Sequence, residues 1–157
     1  MQFFESYIII EISLLLLILV FALLGYVNKF ISEFQKTTNL FLSILLSKLV
    51  AGYFIDTNSF YLIFIISLIS ANILIGFSID MIVYNLNIIK IDENVDEIIG
   101  ATLGIIKGLL IITLIIFIFE SILTEFHIDN NINIKVRQSY IYSFSEYIKN
   151  VILFKVN

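Results

Sequence analysis

The residues able to do chemistry in this chain are few, and most stand where water should be scarce. The stretch "VDEIIGATLGIIKG" places Gly100, Gly104 and Gly108 four apart and sets Lys107 among them, deep in an apolar run. Lys48 stands near the middle of a second apolar run, Glu11 interrupts a third, and Asp80 closes a fourth. Charges among aliphatic side chains point to ion pairing or to a hydrophilic path. A cation at the centre of a bilayer costs about 2.5–3.5 kcal/mol on insertion scales unless a partner or a wet cavity offsets it. By depth, Glu11 is expected to approach Lys48, and Lys107 to reach toward Asp80; Asp96, Glu97 and Glu120 are the other acids near the run ends. The glycines, four apart, share one helical stripe. In lipid, where burying apolar surface drives nothing, such a stripe lets two backbones approach closely. It reads as a packing seam.

No other constellation competes with these. The single His127 sits in a polar stretch with no second ligand spaced around it, and there are no cysteines. Metal, thiolate and disulfide chemistry are therefore not expected. Neither a nucleophile–base pair nor a phosphate loop nor a cofactor signature is visible, so no cofactor and no enzymatic activity are expected. Asp92, Glu93, Asp96 and Glu97 suit the first turn of a helix, where acids complement the positive end of the dipole.

These residues must be carried by membrane helices. Hydrophobic residues make up 60% of the 157-residue chain and the mean hydropathy is +1.04, against about 45–50% apolar in soluble domains. The lipid bilayer is thus the first partner. A net charge of −4 with no basic stripe argues against nucleic acid. Four apolar runs, at 8–27, 40–55, 60–79 and 98–119, are read as transmembrane helices, the second being short against the roughly 20 residues a crossing needs. They are too uniformly apolar for barrel strands, and only helices satisfy their own backbone in lipid.

The expected architecture is all-α and polytopic. A four-helix membrane domain occupies 1–126, with a polar linker 28–39, a turn at 56–59 and a charged linker 85–97. A polar linker and a C-terminal amphipathic helix follow over 127–157. In that helix Ile141, Phe144, Ile148, Val151 and Ile152 gather on one side and Ser143, Glu146, Lys149 and Asn150 on the other, a period that suits the membrane surface or the flank of the bundle. No positive leader or small-residue cleavage site precedes the first run, so no cleaved signal is expected. Lys29, Lys36 and Lys90 put the first and third linkers inside and both termini outside; Lys135 and Arg137 count the other way.

The segment "VDEIIGATLGIIKGLLIITLIIFIFE" resembles the fourth-span signature of the CvpA family, the colicin V production proteins, where an Asp followed by a basic residue precedes a Gly–x3–Gly–x2–basic–Gly helix. Asp96, Gly100, Gly104, Lys107 and Gly108 match it in place, with lysine where arginine is more usual. The family also shows an Arg-Gly-Phe-x-Arg-Glu string after its first span. Here "NKFISEF" retains Phe30 and Glu33 but lacks the glycine and the second basic residue. The string "RQSYIYSFSEYI" is similar to the family's Ser-rich tail helix. The resemblance implies a bacterial inner-membrane protein supporting production or export of a peptide toxin and envelope function. Two uses remain open: a small-solute or ion path built as a homo-oligomer, or a non-conducting scaffold recruiting a protein partner through the C-terminal helix.

Overall fold

The computed structural model describes residues 2–54, 60–85, 92–125 and 139–153. Among the described residues it is helical throughout: α1 (Gln2–Gly52), α2 (Phe60–Asn85), α3 (Glu93–Glu125) and α4 (Tyr140–Ile152). The chain has no proline, so no ring clash stops a long helix. Three helices, α1 to α3, are long and apolar enough to cross a membrane. The turn at 56–59, the linker residues 86–91, and His127, Lys135 and Arg137 lie outside the described residues.

The polar segment 28–39 is not the separate linker that its composition suggests. It is helical, and α1 is broken only at Lys29 (φ 62°, ψ 173°). The apolar part of α1, Ile8–Gly52, is 45 residues long. A straight helix of that length would span roughly 70 Å, more than twice the ~30 Å of hydrocarbon, so a change of direction is required. Lys29 supplies it. Before the break, Gly25 and Phe21 lie against Gly100 and Gly104 respectively, antiparallel to α3. After it, Glu33 already reaches Lys107, about 16 Å along α3 from Asp96 at 1.5 Å per residue. The second half of α1 therefore turns back along α3 from the corner.

The chain divides into two compact units, one of Met1–Val20 with Gly108–Asn157 and one of Phe21–Lys107. In the unit Phe21–Lys107, the second half of α1 buries a stripe of Glu33, Thr37, Ile44, Ser47 and Ala51, while Phe60, Phe64 and Ala71 are buried on α2. Ser43 and Ser47 hydroxyls donate to the carbonyls of Asn39 and Ser43, which satisfies them without water. In the unit Met1–Val20 with Gly108–Asn157, Ile112, Ile116 and Tyr142 form a core against Leu14, Leu17, Ile18 and Ile141. Long apolar side chains such as Leu15, Leu19, Leu62, Ile66, Ile73 and Phe77 face outward, the reverse of a soluble domain and the arrangement a lipid solvent favours.

Candidate functional site: a glycine seam and two buried ion pairs

The seam is a contact of backbones. A Cβ at Gly25 would overlap the carbonyl oxygen of Gly100 and stand 2.9 Å from Gly104 Cα; one at Gly100 would overlap the carbonyl oxygen of Gly25, and one at Gly104 that of Phe21. Gly25 of α1 is thus the missing half of the stripe. Gly108 is buried one turn further along α3.

The seam ends at the Lys29 corner. The second half of α1 starts there with unsatisfied N–H groups, as any helix does. The Phe30 N–H donates to Asp96 Oδ1 at 2.8 Å, so an acid of α3 caps the second half of α1 and meets its positive dipole end. Lys29 Nζ pairs with Glu93 Oε1 at 2.9 Å in an exposed position. At this corner, beyond the first apolar run, the hydrogen bond to Glu93 and then its charge hold the Lys29 ammonium above the ordinary lysine range.

Lys107 is compensated by Glu33. Lys107 Nζ donates to Glu33 Oε1, and Asn28 Nδ2 donates to Oε2 at 3.1 Å. Glu33 is 0% exposed and Lys107 9%, and the ammonium also lies 5.5 Å from the Phe21 ring centroid, within cation–π range. Both carboxylate oxygens are occupied, and the charge sums to zero in a site closed by helix contact.

In the unit Met1–Val20 with Gly108–Asn157, a second pair follows the same logic. Lys149 Nζ donates to Glu120 Oε2 and Tyr142 Oη–H to Oε1; Lys149 is 2% exposed. Glu11 accepts from the Ser139 hydroxyl and, at 3.4 Å, from the Ile141 N–H. Ser139 is itself the N-cap of α4, accepting from the Tyr142 N–H at 3.2 Å. A carboxylate thus sits at the N-terminus of α4, where the helix dipole favours it.

Several expectations change accordingly. Lys107 is paired with Glu33, not Asp80, because the segment assigned to a solvated linker returns along α3. Glu11 is taken up by the start of α4 rather than by Lys48, which lies half-buried on α1. Asp80 is exposed and lines a polar cavity with Lys36. Lys149, on the polar side of the expected amphipathic helix, faces inward with Tyr142 and Ser145, whereas Phe144, Tyr147 and Val151 face outward. Phe30, Glu33 and Asp96, single matches in the sequence, converge at one corner.

These features define the class of the molecule: a membrane-embedded, multi-pass helical protein in which the buried Lys107 and Lys149 are each paired with a glutamate. Comparison with protein-family models, curated proteins and solved structures finds no match for the chain.

Proposed function

We propose that the chain is a CvpA-type protein of a bacterial inner membrane, serving production or export of a peptide toxin as a non-conducting helical scaffold. The observation that carries the family reading is Lys29. Set against the Arg-Gly-Phe-x-Arg-Glu string, "NKFISE" puts Asn28 and Ser32 where the family has arginines and Lys29 where it has glycine, and Lys29 is the one non-glycine residue with positive φ among the described residues. A ψ near 173° belongs to backbone space that only glycine visits without strain. The retained Phe30 and Glu33 are the partners of the retained Asp96 and Lys107. Motif residues from two distant segments thus act as one device, a capped corner with a neutralised lysine.

The scaffold use is supported over a conducting path by the same geometry: a seam closed by backbone contact and a lysine already compensated leave no lining for a solute there. The break at Lys29 and the Lys29–Glu93 pair, which joins the corner to the start of α3, support two passages within α1 and four in all; the lysines at 29, 36 and 90 support both termini outside. Complementation of toxin release tests the proposal. The double variant Glu33→Leu with Lys107→Met, which removes the charges but keeps the packing, should support release as the parent does. Release lost while the protein stays folded in the membrane would mean the charges themselves work, and a path would replace the scaffold.

A further inference from the structure

In the unit Phe21–Lys107, α2 lies beside the second half of α1 and the two leave a cavity of ≈ 260 Å³ lined by Ser32, Gln35, Lys36, Asn39, Gly76 and Asp80. That is far more than a single water needs. Its lining holds one cation and one anion on facing helices, with two amides and a hydroxyl between them. Among the described residues Lys36 and Asp80 form no ion pair with each other or with another side chain. Gly76 leaves room for the amide that lines the cavity: a Cβ there would stand 3.0 Å from Asn39 Nδ2.

The depth of the cavity is equally specific. Lys36 precedes the apolar run that begins at Leu40, and Asp80 follows the one that ends at Ile79. Both charges thus lie just outside the apolar runs of α1 and α2, at the same end of the two antiparallel helices, where a polar headgroup is within reach. A separated cation and anion at that level complement a zwitterion. The geometry points to a binding site for a phosphate–primary-ammonium zwitterion, as in a phosphatidylethanolamine headgroup, with Lys36 taking the phosphate and Asp80 the ammonium. The Asn39 and Gln35 amide oxygens accept the remaining ammonium hydrogens. A quaternary ammonium has no hydrogens to give them, and an anionic headgroup brings no cation to Asp80. The inference rests on the membrane placement of α1 and α2 and not on the toxin reading.

The test uses the purified full chain in detergent, titrated with dihexanoyl phosphatidylethanolamine, phosphatidylcholine and phosphatidylglycerol, and with free phosphoethanolamine. The ethanolamine lipid should bind about tenfold tighter than the other two, the scale of one charge-assisted hydrogen bond. Asp80→Asn should remove that preference, and Lys36→Gln should weaken all three lipids. Both side chains are exposed, so an unchanged Tm accompanies each variant. Free phosphoethanolamine binding as tightly as the lipid supports the site and assigns it a soluble ligand; lipid binding alone assigns it to the membrane. Equal binding of the three lipids, or a preference untouched by Asp80→Asn, overturns the inference.

Discussion

Replacing Lys107 by methionine keeps the length and packing of the side chain but leaves Glu33 buried without its cation. Glu33 is 0% exposed and retains only Asn28 as a donor, so the loss belongs to the class of broken buried pairs, about 3 kcal/mol or more. Glu33→Leu strands Lys107 in the same way, at a similar cost. Removing both charges together leaves no uncompensated group; what is lost is chiefly the Asn28 hydrogen bond, about 1 kcal/mol. The double variant should therefore be more stable than either single one, with a coupling of at least about 3 kcal/mol. Reversible unfolding by SDS titration in mixed micelles, followed by far-UV circular dichroism, measures all four corners of the cycle. A double variant whose loss equals the sum of the two singles would refute the pairing.

Three further outcomes follow from the contacts. Gly25→Ala and Gly104→Ala should each destabilise the fold by about 3 kcal/mol or more, because the new methyl meets backbone that cannot yield, whereas Gly76→Ala meets only the Asn39 side chain and should cost less than about 1 kcal/mol in the same titration. Lys29→Gly should be neutral or stabilising by about 1 kcal/mol, since relief of the strained φ outweighs an exposed ion pair of little worth. Lys149→Met should destabilise by about 3 kcal/mol through the stranded Glu120, and Tyr142→Phe by about 1 kcal/mol through the lost hydroxyl; thermal unfolding of the purified chain ranks the two.

The helices were legible because their signal is bulk composition: the runs 60–79 and 98–119 lie inside α2 and α3 with a few residues' difference at the ends. Asp96, Gly100, Gly104 and Lys107 were legible as a group because helical spacing placed them on adjoining faces. What failed was the reading of polarity as exposure. Lys29 to Asn39 looks like a loop by composition, yet Glu33, Thr37, Ile44, Ser47 and Ala51 continue one helical stripe from that segment into the next apolar run, a signal that the segment is helix. Composition alone therefore gives Glu33 no part in compensating Lys107, with which it pairs in the fold. Polarity likewise says nothing of which face of α4 turns inward: Lys149 shares the inward face with Tyr142 and Ser145 because Glu120 stands there to pair with it. No periodicity reveals that Gly25 lies opposite Gly100, because their approach depends on how two helices distant in sequence meet.

The central claim is that the interior around the seam is dry and electrically closed. The chain has no cysteine, so single cysteines at Ala22, Leu103 and Asn72, with Lys36 and Glu93 as exposed controls, can be probed in intact membranes with a charged, water-soluble thiol reagent. A dry scaffold predicts modification at Lys36 and Glu93 and protection at the three half-buried positions. Modification of Ala22 and Leu103 at the rate of the controls would place water along the seam and contradict the account.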